Sequence, residues 1–280
     1  MFLKKIIFFL IAYLLYQTPL YSKSTSLINF DSKNLSKYFS GILAFENKDN
    51  STALDFFNSS KILLNEHDPY LKRYIYSLVL EDKVSQAINV VKNNINKSNT
   101  NFFDAYLLLV LHNLKKGNFE KADFYLKKTT NLFPSNRFNS AILESLKGYI
   151  HVFKEKKLFE DKKNLGKLSI ISDTFQRCYL QDSATDKYFS NLINDDEADY
   201  TRYVYFYLSY LIENNRLEEA KKITNDLDYI NTTLLLSQGK SWIENENENE
   251  LLKVFSCKNS NDIISEFLFL ISNLYSSQDN

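Results

Sequence analysis

The sequence predicts an all-α fold assembled from antiparallel helix pairs, and three observations carry that expectation. In residues 103–136, Tyr106, Leu109, Val110 and Leu114 recur at helical spacing. Lys-Lys-Gly-Asn then breaks the pattern, and Phe119, Ala122, Leu126 and Thr129 resume it before Leu132 and Pro134 close it. A small residue recurs in register, as Ala53, Ala87 and Ala122, at intervals of 34 and 35 residues. Only five Gly and three Pro occur in 280 residues, which favours long helices joined by short turns.

The 103–136 segment reads as a complete helix, turn, helix unit. Gly117, without a Cβ, suits the backbone reversal, Ala122 lets the second helix approach the first closely, and Pro134 ends the pair. Tyr106, Leu109, Gly117, Phe119, Ala122 and Pro134 fall at offsets that resemble the tetratricopeptide repeat, a helical hairpin of about 34 residues. Val110 stands where that pattern prefers Gly, and Asn113 where it prefers Tyr. The resemblance implies a right-handed α-solenoid, a superhelix whose first helices line a concave groove that binds peptides or partner helices.

Taken in order, residues 1–22 have the layout of a secretory signal: Lys4 and Lys5, an apolar run over 6–16, then Pro19 and the small Ser22. The run is short for a membrane span, which needs roughly 20 residues. Cleavage after Ser22 is expected; an uncleaved anchor is the alternative. Residues 23–37 are a polar segment with little pattern. Residues 38–136 hold three repeats. The first keeps Gly41, Ala53, Phe57 and Ser60 around a turn at 46–50, and the second, 71–98, is carried mainly by Val84, Ala87 and Val91. Residues 137–199 are expected to form a divergent helical unit, since Ala122 to Ala220 is 98 residues and not a whole number of repeats. Within it, 154–163 is charge-rich and reads as a solvated helix end. Residues 200–280 resume helix pairs, with Tyr207, Leu208 and Leu211 before a turn at 213–216, then Leu217 and Ala220. A further pair is expected from 231–243 and 251–255, and the Glu-Asn alternation of 244–250 reads as a turn. Residues 267–275 read as the first helix of one more repeat and 276–280 as its turn, so the chain is expected to be an N-terminal fragment.

The composition is globular, 44% apolar and 24% charged, and Lys plus Arg equal Asp plus Glu at 34 each. A balanced charge removes the usual electrostatic case for nucleic acid. His67, His112 and His151 stand alone. No zinc-protease helix, nucleophile elbow or phosphate loop is present, so neither a cofactor, a metal nor an enzymatic activity is expected. The acidic cluster Asp195, Asp196, Glu197 and Asp199 lacks the Gly and terminal Glu of a calcium loop. Cys178 and Cys257 are a possible disulfide in an exported chain, or two buried thiols; sequence leaves both open.

Carried over by position, the groove would present Tyr38, Ile42 and Phe45, then Lys72, Tyr76 and Val79, then Leu107, Leu111 and Leu114. That lining is largely apolar and unlike the family's carboxylate clamp, so a protein or peptide with apolar or aromatic anchors is the expected partner. Core and groove stripes adjoin on such helices, and several of these residues could equally pack inward. The resulting expectation is a non-catalytic scaffold or adaptor exported to the periplasm, touching the membrane only through an uncleaved signal segment. The alternative is the substrate-recruiting arm of an enzyme whose catalytic domain lies beyond residue 280.

Overall fold

The computed structural model describes residues 31–65, 67–132, 137–160, 163, 166–194, 201–226 and 233–278. The signal-type segment and the acidic cluster at 195–199 lie outside them. Every regular element among the described residues is helical. The chain divides into two compact units, the first ending at Asp82 and the second beginning at Lys83. The two helices of the second expected repeat therefore belong to different units.

The first unit contains α1 (Ser32–Glu46), α2 (Asn50–Ser59), a 3-10 segment (Lys61–Asn65) and α3 (Asp68–Leu80). Helix α1 takes in the last six residues of the segment read as polar and short of pattern, because the Asp31 side chain accepts from the Lys33 N–H and caps its first turn. Asp49 caps α2 in the same way through the Thr52 N–H. The pair α1/α2 closes on Ala53 and on Gly41, where an added Cβ would lie 2.9 Å from a Phe57 ring carbon. Gly41→Val is expected to lower stability by about 2 kcal/mol in urea unfolding, since the rigid, fully buried Phe57 has no room to yield. Tyr38, Phe57, Tyr70 and Tyr74 form the aromatic centre of this unit, with ring centroids 5.8–6.0 Å apart along the chain of contacts. The buried Tyr70 hydroxyl is satisfied by the Phe57 carbonyl.

The second unit starts with α4 (Val84–Asn94), α5 (Phe103–Lys115) and α6 (Phe119–Leu132), followed by the long α7 (Arg137–Glu155), α8 (Lys167–Leu180) and α9 (Thr185–Ile193). Then come α10 (Thr201–Glu213), α11 (Leu217–Asn225), α12 (Leu234–Glu244), α13 (Asn249–Val254) and α14 (Ser260–Gln278). Packing is sequential from α4 to α10. Helix α10 departs from that order by touching α11, α12 and α13 as well as α9. Its sequence explains why: Tyr203, Val204, Tyr205, Phe206, Leu208, Tyr210, Leu211 and Ile212 are buried on all sides, as suits a helix enclosed by others. An ion network holds its surroundings, with Arg216 2.9 Å from Asp186 of α9 and 2.6 Å from Glu219 of α11, while the Tyr207 hydroxyl donates to Asp186.

The last helix corrects one expectation. Helix α14 is continuous from Ser260, so it is not a short first helix beginning near Phe267, and it packs back on α5 and α8. Ile263, Ile264, Phe267 and Ile271 join the common core, where Phe267 meets Tyr149 edge to face at 5.5 Å. That stripe is covered within the unit, while Leu268, Phe269 and Leu274 of the same helix stay exposed. Cys178, at the end of α8, is joined to Cys257, in the turn before α14, with their Cα atoms 5.3 Å apart.

The hairpin turns share one backbone device. Lys48, Gly117, Asn215 and Glu246 all take positive φ between helices of a pair, as do Asp82, Lys156 and Gln181 after other helices. At Asp49, Asn118, Asp182, Arg216 and Asn247 the next N–H reaches back five residues to a carbonyl, 2.8–3.0 Å away, closing the helix end. Lys48, Asp82 and Gly117 repeat at 34 and 35 residues, the same intervals as the alanines.

Candidate binding surfaces

The nine residues expected to line a groove lie on three helices, α1 and α3 in the first unit and α5 in the second. Tyr38 and Leu114 are corrections: each is 2% exposed, Tyr38 inside the aromatic centre and Leu114 in the core of the second unit, so neither offers a surface. Leu107 and Leu111 are half-buried and pack on that same core. Ile42, Phe45 and Tyr76 are half-buried as well. Lys72 and Val79 are exposed on α3, where the Lys72 ammonium sits 5.5 Å from the centre of the Tyr76 ring.

What the positional carry-over missed is a neighbouring stripe of α1. Leu35, Phe39 and Leu43 follow at intervals of four on one face of that helix, beside a row of Ser32, Ser36 and Ser40. Phe39 is 58% and Leu43 65% exposed, while Tyr38 and Gly41 turn toward α2 and α3. The result is an apolar ridge next to a shallow row of small hydroxyls. The signal was present in the sequence as a second apolar stripe about a quarter turn from the first, at about 100° per residue.

No family model, no curated protein and no solved structure matches the chain. The case for function therefore rests on these surfaces.

The second unit carries an open depression beyond the end of α7, lined by His151, Lys156, Lys157, Phe159, Glu160 and Asp182 among others. Phe159 is held there between the His151 ring at 5.2 Å and the Lys147 ammonium at 4.8 Å. Two lysines face two carboxylates, a balance that selects no ligand charge. His112, on α5, lies 3.3 Å from the Lys92 ammonium, and burial together with Lys92 and Lys116 lowers its pKa. Among the described residues no three acids, histidines or cysteines converge as a metal site, and no helix is long and apolar enough to cross a membrane.

Proposed function

We propose that this chain is an exported, non-catalytic scaffold of the tetratricopeptide type, a right-handed solenoid in plan, that binds a protein or peptide through apolar anchors. The observation that carries the proposal is the ridge of half-buried Leu35 and exposed Phe39 and Leu43, presented by a helix whose other face is locked into a hairpin by Gly41 and Ala53. A large exposed apolar ridge on a rigid helix is costly to keep in water unless something covers it. The hairpins α1/α2 and α5/α6, with alanine buried at the close approach and a left-handed residue at each turn, support the family assignment. A disulfide buried in the core supports export to an oxidising compartment such as a periplasm.

Phe39→Asp together with Leu43→Asp is expected to reduce partner capture by at least about tenfold, as the loss of two apolar anchors implies. Because both side chains point away from the core, helicity by circular dichroism should not change. A photo-crosslinker placed at position 43 identifies what is bound. Capture that survives the double variant would refute this surface.

A further inference from the structure

Helix α1 carries exposed residues at alternating intervals of four and three: Ser32, Ser36, Phe39, Leu43 and Glu46. That is the heptad spacing of a seam along which one helix packs against another. The seam is apolar at its middle and polar at both ends, and Phe39 is the central residue of the 15 in α1. Tyr38 and Gly41, which face α2 and α3, lie outside it.

The charges are ordered along the same helix. Lys33 lies exposed in the first turn and Glu46 exposed at the last position, each at the end where the helix dipole disfavours it. Neither has an ion-pair partner among the described residues. Both placements become favourable beside a second helix that runs the opposite way, because the C-terminal end of that helix then lies next to Lys33 and its N-terminal end next to Glu46. Just outside these two charges stand the exposed Asp31 and Lys48, again of opposite sign.

We infer that α1 is the face through which two copies of this chain pair, antiparallel about a two-fold axis beside Phe39. One register satisfies the whole helix: Phe39 meets its own copy, Leu43 lies over the small Ser36 of the second chain, Lys33 meets Glu46 and Asp31 meets Lys48. Two-fold symmetry makes each of the last three contacts twice. A parallel pair would instead set Glu46 against Glu46 and Lys33 against Lys33. This inference rests on the reading of the ridge as a surface that something covers, and it names a second copy as what covers it. An interface confined to one helix about 22 Å long falls short of the roughly 1,600 Å² of a standard stable one, so the dimer is weak and dissociates on the order of 10–100 μM.

Sedimentation equilibrium of the purified full chain across that concentration range is the test. The mass is expected to rise from one chain to two and to stop there, as a closed two-fold pair requires. Phe39→Asp should weaken association at least about tenfold. Lys33→Glu and Glu46→Lys should each weaken it about fivefold, since either change turns two attractions of the size usual for exposed pairs into repulsions. Mixing these two variant chains should restore it, because in the mixed pair opposite charges face each other again at both ends. Damage to the fold would not be repaired by mixing, and parallel pairing would not be weakened by either change alone. A chain that stays monomeric at the highest concentration, association that survives Phe39→Asp, or a mixture no tighter than its components would overturn the inference. A monomeric chain that still crosslinks a different protein from position 43 would remove only the second copy as occupant, whereas a position 43 that crosslinks nothing would remove the binding role of the ridge as well.

Discussion

Replacing Cys178 and Cys257 together by alanine is expected to destabilise the second unit by about 4 kcal/mol, read as a fall in the urea midpoint together with a steeper slope, because the unfolded chain without the cross-link exposes more surface. The two residues are 79 apart in sequence, and the loop-entropy relation for a closure of that length gives this magnitude before any compensation. Both are fully buried, so each alanine also leaves a small void. The bond clips the end of α8 to the turn that launches α14, and the whole of α9 to α13 lies within the loop it closes. Adding a reductant to the parent chain in denaturant should reproduce the loss, while the double variant should no longer respond. A loss below about 1 kcal/mol would mean that the unfolded chain is already compact in this region.

The second large effect is expected at Arg202. Its guanidinium makes a bidentate bond to Glu266, with N–O distances of 2.7–3.1 Å, and stacks on Phe269 at 4.2 Å. Glu266 has only 3% of its side chain exposed. Arg202→Met would strand that carboxylate in the core and is expected to cost about 3 kcal/mol at neutral pH, the low end for a broken buried pair because Arg202 itself is partly exposed. The cost should depend on pH. Burial raises the Glu266 pKa, and the bond to Arg202 opposes that rise without cancelling it. A carboxyl whose folded pKa is raised contributes stability below its unfolded pKa, and that contribution is lost as pH climbs through the folded value. Without Arg202 the folded value rises further. The penalty of Arg202→Met should therefore shrink as pH is lowered into the carboxylate range, where Glu266 protonates and no longer needs a cation. Chemical denaturation of both chains at several pH values measures it. A penalty independent of pH would assign the effect to lost packing on Phe269.

Much of the local architecture could be read from residue spacing. The hairpin α5/α6 follows directly from the apolar periods on either side of Gly117, and the run through Tyr203–Ile212 is helical despite its β-branched and aromatic residues, because burial on every side outweighs local propensity. What could not be read was which of two stripes faces inward. On α1, Tyr38 and Phe39 are adjacent and aromatic, yet one is buried and the other exposed; only the position of α2 and α3 decides between them. The return of α14 to α5 and α8 was equally hidden, since contacts across that much chain leave no periodic trace.

The turns carry a consequence at the level of the gene. A left-handed backbone position is most easily filled by glycine, whose codons all begin with two guanines. Here the role falls instead to Lys48, Asp82, Lys156, Gln181, Asn215 and Glu246, and among the described C-terminal helix ends to Gly117 alone of the glycines. Lysine, asparagine, aspartate and glutamate can be encoded with far fewer guanines and cytosines. Each such residue gives up a fraction of the conformational ease that glycine provides, and after Lys48, Gln181, Asn215 and Glu246 the carbonyl-closing bond recovers part of it. At those four turns the carbonyl-closing bond, and not the residue type, therefore marks the helix end.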